Sequence, residues 1–95
     1  MMHYIDLVEK FVVAQEDGTK HVVWHYLHRY GRFVEPNVPV FDREGHEYRY
    51  HLGMPCTEVI WIRPKADGLF HTRPGPDQIT LRRTDDDPAD IESWE

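Results

Sequence analysis

Apolar and polar residues alternate along much of this 95-residue chain with the period of two that is typical of β-strands. The alternation is clearest from His46 to Leu52. There the residues at positions 46, 48, 50 and 52 are His, Tyr, Tyr and Leu, and those between them are Glu, Arg and His. This segment is therefore predicted to be a strand with one half-buried face.

Two similar apolar segments lie on either side of Asp17-Gly18, at residues 11–15 and 20–24. Asp-Gly supplies the two positive-φ residues of a type I′ turn, so a hairpin with a two-residue turn is predicted. In that register Val13 lies opposite Val22, and Phe11 lies opposite Trp24. The core face of this hairpin would then consist of Ile5, Leu7, Phe11, Val13, Val22, Trp24, Tyr26 and Tyr30.

A helical N-terminal part is the alternative, and it would make the domain α+β. Residues 4, 7, 8, 11 and 12 also form an apolar helical stripe. A helix over residues 20–33 would place His21, His25 and His28 on one face, where they could bind a metal ion. In a strand, these histidines are divided between two faces, and His21 and His25 lie about 13 Å apart. The many β-branched and aromatic residues of this segment favour the strand.

The rest of the chain is divided by seven prolines and six glycines into short segments. The predicted elements are a loop at 31–37, an edge strand at 38–41, a turn at 42–45, a central strand at 57–63, a turn at 64–68, a strand at 69–73 and a strand at 78–83. The sequence thus predicts a mainly β, single-domain antiparallel meander of about six or seven short strands, curled into a sheet or small barrel.

The negative charge is concentrated at the C-terminal end. The chain has 17 acidic and 11 basic residues, and residues 85–95 contain six of the acidic residues and none of the basic ones. We therefore divide it into a β-rich domain at 1–84 and an acidic tail at 85–95. Asp87 followed by Pro88 predicts one helical turn, with Ile91 and Trp94 on one side.

No catalytic residues and no cofactor are predicted. The single cysteine, Cys56, lacks the neighbours of a known nucleophile motif, and the isolated glycines do not form a phosphate-binding loop. One cysteine also excludes an internal disulfide. With no apolar run of about 20 residues and no signal-peptide pattern, we expect a cytoplasmic protein that does not enter a membrane.

Aromatic and arginine side chains, which anchor protein interfaces, are interleaved at residues 29–33 and 48–51 of the predicted β surface. The expected function is therefore a small acidic protein-binding or inhibitory module. It would use this β surface and the acidic tail to bind a protein partner with a basic surface. The composition resembles that of phage-encoded antagonists of bacterial defence and of immunity proteins. The candidate binding residues are Arg29, Tyr30, Arg32, Phe33, Tyr48, Arg49, Asp85, Asp86, Asp87 and Trp94.

Two other functions remain as alternatives. A small metal-dependent enzyme would use the histidines. A module for single-stranded nucleic acid would use the same arginines and aromatic residues. The balanced charge of residues 1–84 and the acidic tail disfavour nucleic-acid binding, because that affinity depends on neutralising phosphates. The oligomeric state is left open.

Overall fold

A computed structural model describes residues 2–52, 58–65 and 67–91, which form six antiparallel strands and one short helix. The elements are β1 (Met2–Ala14), β2 (Lys20–Glu35), β3 (Val38–Leu52), β4 (Glu58–Pro64), β5 (Leu69–His71), β6 (Thr80–Arg83) and α1 (Pro88–Ile91). Each strand pairs with the next, and β6 also pairs with β1 at Val13 and Ala14. The predicted antiparallel meander is confirmed, and the alternative N-terminal helix is wrong.

The strands differ greatly in length, and this gives the molecule two parts. The first three strands have 13, 16 and 15 residues, whereas β4 to β6 have 7, 3 and 4. The short strands cover only one half of the long ones, and there the sheet curls on itself to form the body. The other half is a three-stranded extension, called the arm, formed by residues 2–8, 27–35 and 38–46. The longest dimension of the molecule is 53 Å.

The first hairpin has a three-residue turn instead of the predicted two-residue turn. The amide of Gln15 donates to the carbonyl oxygen of Thr19 at 2.8 Å, and the amide of Gly18 donates to the carbonyl of Gln15 at 3.0 Å. Within the turn only Gly18 has a positive φ, of 91°. This is a type I turn followed by a bulge at glycine, so the predicted type I′ turn is wrong.

The extra turn residue shifts the strand partners of residues 9–14 by one position. Phe11 lies opposite Val23, and Val13 lies opposite His21. Because side chains alternate between faces, this shift places Val22 and Trp24 on the outer face of the sheet. The predicted core face is therefore correct for Phe11 and Val13 of β1 but wrong for Val22 and Trp24 of β2.

A bulge between Leu7 and Glu9 corrects the prediction for the start of β1 as well. Val8 is the extra residue there, so Ile5 and Leu7 share the outer face with Tyr26 and Tyr30. Ile5 is 55% exposed and Leu7 is 47% exposed. The predicted core positions of these residues are wrong.

Every strand contributes at least one side chain to the core of the body. The core residues are Phe11, Val13, Val23, Tyr50, Ile62, Phe70 and Leu81. Tyr48, Leu52, Ile60 and Ile79 pack against them and are partly buried. The inward face predicted for residues 46–52 and the inward positions of Ile79 and Leu81 agree with this core.

Two predicted interruptions do not occur. The predicted loop at 31–37 is wrong because β2 continues to Glu35 and only Pro36 and Asn37 form the turn to β3. Proline before a residue with a φ of 67° suits a type II turn. The predicted turn at 42–45 is wrong because β3 pairs with β2 through this segment. This long ladder outweighs the local preference of Gly45 for a turn.

The chain after β6 returns to the outer face of the first hairpin. The amide of Thr84 donates to the carbonyl of Val12 at 2.8 Å, and the Lys20 Nζ atom lies 3.0 Å from Asp86 Oδ2. Asp87 caps α1 by accepting a hydrogen bond from the Ala89 amide at 2.9 Å, so the predicted helical turn is confirmed. Trp94 lies outside the described residues.

Within the described residues, no helix is long and apolar enough to cross a membrane.

Candidate binding surface

The arm exposes most of the large apolar side chains that are accessible to solvent. Of the ten such side chains among the described residues, nine lie on the arm and one, Trp61, lies on the body. Five are close together at the tip of the arm: Phe33, Val34, Val38, Val40 and Phe41. They are exposed because three strands form a single layer, and no second layer covers either face among the described residues. Phe33 and Phe41 share one face of the tip and Val40 lies on the other, so the tip is apolar on both sides, and large exposed apolar areas are a feature of binding sites.

Strand pairing assigns the arm residues to two faces. The first, called the His3 face, contains His3, Ile5, Leu7, His28, Tyr30, Arg32, Val40 and Arg43. The second, called the Tyr4 face, contains Met2, Tyr4, Asp6, Leu27, Arg29, Phe33 and Phe41. The Tyr4 face continues into the inner face of the body, and the His3 face continues into its outer face.

A chain of hydrogen bonds crosses all three strands on the His3 face. The Nε2 atom of His3 lies 2.8 Å from Nδ1 of His28, and Nε2 of His28 lies 3.0 Å from a carboxylate oxygen of Glu47. The ring of His3 also stacks on Tyr30 with centroids 4.4 Å apart, and the Arg43 guanidinium lies 4.5 Å from the centre of the Tyr30 ring. These contacts fix the strands of the arm to one another.

Contacts of a buried imidazole also cross the strands on the opposite face, where the arm joins the body. Nδ1 of His25 lies 3.5 Å from a carboxylate oxygen of Glu9, and its Nε2 lies 2.8 Å from Nδ1 of His46. His25 is buried and stacks on Tyr48 with centroids 4.2 Å apart. A hydrogen bond between two imidazoles needs one N–H donor and one bare nitrogen acceptor. Each of the two histidine pairs thus requires at least one neutral histidine.

The Tyr4 face of the arm is held by an ion pair and aromatic contacts. Arg29 donates to Asp6 at 2.6 Å, and its guanidinium lies 5.0 Å from the centre of the Phe41 ring. Tyr4 meets the same ring edge-on, with centroids 5.6 Å apart. Side-chain contacts therefore join the three strands on both faces of the arm, and on the Tyr4 face they extend to Phe41 at the tip.

The metal site of the helical alternative is not formed. His21 and His25 lie on the inner face of β2, whereas His28 lies on the outer face. The separation of the three histidines between two faces agrees with the strand prediction. That prediction placed His28 on the core face and His21 and His25 on the outer face, and the structure shows the reverse. In the ranges 2–52, 58–65 and 67–91, no three His, Cys, Asp or Glu side chains are placed to hold one metal ion. Cys56 lies outside these ranges.

Among the described residues, five titratable groups have shifted pKa values, and three of them lie on strands of the body. Burial lowers the pKa of His21 below its usual 6.5, although Asp17 opposes the shift. Burial also raises the pKa of Tyr50, with a contribution from Glu58. The hydrogen bonds from Arg83 hold the pKa of Glu9 below 4.5. The causes of these shifts are packing and charge pairing within the body.

The predicted binding residues lie at different places in the structure. Arg32 and Phe33 are exposed at the tip. Tyr30 lies on the His3 face, where the Arg43 guanidinium packs over its ring. Arg29 is bonded to Asp6, as described above. Arg49 lies 3.3 Å from Glu47, with its guanidinium 4.4 Å from the centre of the Tyr26 ring.

Tyr48 and the three predicted aspartates lie away from the arm. Tyr48 faces inward, where its ring lies 5.3 Å from that of Phe70. Asp85, Asp86 and Asp87 lie at the far end of the body, beside Lys20. Sequence reasoning did not single out the exposed residues Val34, Val38, Val40 and Phe41 as candidates for binding. The apolar run at 38–41, predicted only as an edge strand, was the available signal.

Comparisons with protein-family models, with curated proteins and with solved structures found no match. A function must therefore be argued from the chemistry of the surface itself.

Proposed function

We propose that this protein is a small protein-binding or inhibitory module that acts through the apolar tip of its arm. The observation that carries the proposal is the exposure of five large apolar side chains within residues 33–41. Phe33 is 57% exposed, so most of its ring is available to a partner. Burying apolar surface contributes roughly 25 cal/mol per Å², which makes such a cluster an effective anchor.

The chemistry of the tip indicates what kind of surface on a partner would fit it. Arg32, Glu35, Asp42 and Arg43 lie around the apolar side chains, so charges of both signs border them. An apolar centre with a polar rim is the usual composition of a protein interface. The matching surface is an apolar cleft bordered by groups of both charges. If that cleft is the working site of the partner, binding inhibits it.

The acidic segment lies at the opposite end of β2 from the tip. Asp86 lies beside Lys20 at the first residue of β2, whereas Phe33 lies near its last residue. A strand of 16 residues spans about 50 Å at roughly 3.3 Å per residue. The proposed binding surface is therefore the tip, and contact of the acidic segment with a basic surface on the partner stays a separate prediction.

A photo-crosslinking amino acid placed at position 33 tests the proposal in the native cell. We expect a discrete covalent adduct with one protein, which mass spectrometry identifies. The matched control places the same amino acid at position 61. Trp61 is also aromatic and is 60% exposed, but it lies on the body. Adducts of equal yield at both positions, or none at position 33, would contradict the proposal.

The identified partner then permits a quantitative test. Phe33→Asp should weaken binding by about 30-fold or more, corresponding to the roughly 2 kcal/mol of a strong interface anchor. Trp61→Asp should leave the affinity unchanged. Thermal unfolding of both variants checks that the fold is intact.

A further inference from the structure

One edge of the arm has backbone groups without a strand partner. Residues 2–8 of β1 pair with β2 on one side, and on the other side β6 reaches only Val13 and Ala14. Within the described part of the chain, no strand pairs with the free side of residues 2–8. Such an edge presents a row of amide and carbonyl groups to another strand.

The two edges of the arm differ in how they resist such pairing. The β3 edge carries Pro39 and the charged run Asp42-Arg43-Glu44, which are features that block strand addition. Residues 2–8 contain neither proline nor lysine. Their one carboxylate, Asp6, is bonded to Arg29 of the same chain at 2.6 Å. The β1 edge is thus open and close to neutral, whereas the β3 edge is protected.

We propose that the free edge of β1 pairs with the same edge of a second copy of this chain, forming a symmetric dimer with a continuous six-stranded antiparallel sheet. A two-fold axis between antiparallel strands passes through a residue that faces its own copy, because opposite residues share a face. Only an axis at Ile5 pairs every residue of segment 2–8 with a residue of the same segment in the other copy. The opposed pairs are then Ile5 with Ile5, Tyr4 with Asp6, His3 with Leu7 and Met2 with Val8.

Charge and apolar contact both favour this register. An axis at Asp6 would place two carboxylates opposite each other, which destabilises a strand pair. With the axis at Ile5, each Asp6 lies opposite a tyrosine of the other copy. Ile5 and Leu7, which are 55% and 47% exposed in one copy, would form one apolar strip with their counterparts. The strip lies on the His3 face, away from the tips, so dimerisation and partner binding use different residues.

Sedimentation equilibrium of the untagged protein measures the dimer. We expect a mass of twice 11.4 kDa at micromolar concentrations, and the monomer mass for Ile5→Lys. Val38→Lys, an equally drastic change on the protected edge, should leave the dimer intact. Circular dichroism shows whether each variant is folded. A monomeric wild-type protein, or a dimer that survives in folded Ile5→Lys, would overturn the proposal.

A cysteine cross-link tests the register without disrupting the edge. In the Cys56→Ser background, Ile5→Cys should oxidise rapidly to a covalent dimer, because directly opposite residues have Cα atoms about 4.5 to 5.5 Å apart, within the range of a disulfide. Leu7→Cys should not, because its counterpart lies about 13 Å away along the strand pair. Equal rates for the two variants would refute the register. Phe33→Asp should lose partner binding yet remain dimeric, so failure of either proposal can be recognised separately.

Discussion

The imidazole of His21 stacks on the ring of Tyr50 inside the curled sheet, with centroids 4.3 Å apart and planes 20° apart. Gln15 contacts the same imidazole, with its Nε2 atom 2.8 Å from Nε2 of His21. Partial burial disfavours the charged form of the ring and lowers its pKa. The neutral imidazole is therefore the form that suits the folded state.

This relationship predicts a pH dependence of stability. The unfolded chain binds the proton of His21 more tightly than the folded chain does, so the free energy of unfolding decreases as pH falls below about 6.5 and levels off below the folded pKa. His21→Gln should flatten this part of the profile. Urea unfolding at several pH values on both sides of 6.5 measures the effect. An unchanged slope in the variant would exclude His21 as its source.

The core of the body should be sensitive to truncation of Phe11. This side chain is 3% exposed and lies between Tyr48 and Phe70, so Phe11→Ala leaves a cavity. The expected loss is about 3 to 5 kcal/mol in the free energy of unfolding. Trp61→Ala is the matched control, since a 60% exposed aromatic should change stability by about 0.5 kcal/mol or less. Equal losses would show that the inner face is assigned wrongly.

The first hairpin shows which part of the fold was predictable from sequence. Asp17-Gly18 between two apolar segments predicted the hairpin, and Gly18 does adopt a positive φ. Both a two-residue and a three-residue turn place glycine in that conformation, so the pattern did not determine the register. The register depends on tertiary packing, which buries Val23 beside Phe11 and leaves Trp24 on the outer face.

The arm was less predictable for a different reason. Its existence depends on β4 to β6 being too short to cover β1 to β3, which is a relationship between distant segments. Local signals at Pro36 and Gly45 instead predicted a loop and a turn. Arg32 and Phe33 were singled out from composition, but their position at an exposed tip could not be foreseen without this geometry.

Gly31 should be essential to the arm. It is buried and lies opposite Phe41, and a Cβ atom there would clash with the backbone carbonyl group of Val40. Gly31→Ala must push β3 away from β2, at a cost of roughly 1 to 3 kcal/mol. Amide hydrogen exchange should show faster exchange in residues 32–41, and urea unfolding should show the loss of stability.

Gly45→Ala provides the control for this prediction. A Cβ atom at Gly45 meets nothing within 4 Å, although the residue lies in the same arm on β3. Its substitution should therefore leave exchange at residues 32–41 close to that of the wild type. Equal acceleration in both variants would mean that strand propensity, and not the close approach of the two backbones, explains the effect.

The segment after Thr84 is expected to stabilise the body. Val12 and Val22 lie on the outer face of the first hairpin, yet they are only 0% and 8% exposed. The helix α1 packs against β1 and β2 there, and Ile91 lies near Val22. Deleting residues 85–95 should therefore expose apolar surface and lower the melting temperature. Partial exposure of two valines corresponds to about 1 to 3 kcal/mol, or several degrees for a domain of this size.

Asp86→Asn separates this apolar effect from the charge of the segment. The variant keeps residues 85–95 but weakens the contact of Asp86 with Lys20, and an exposed ion pair that solvent screens contributes little to stability. We expect its melting temperature to stay close to that of the wild type. The loss caused by the deletion should also persist in high salt, because salt screens charges and does not weaken apolar burial. A deletion that leaves the melting temperature unchanged would show that covering Val12 and Val22 with this segment does not stabilise the fold.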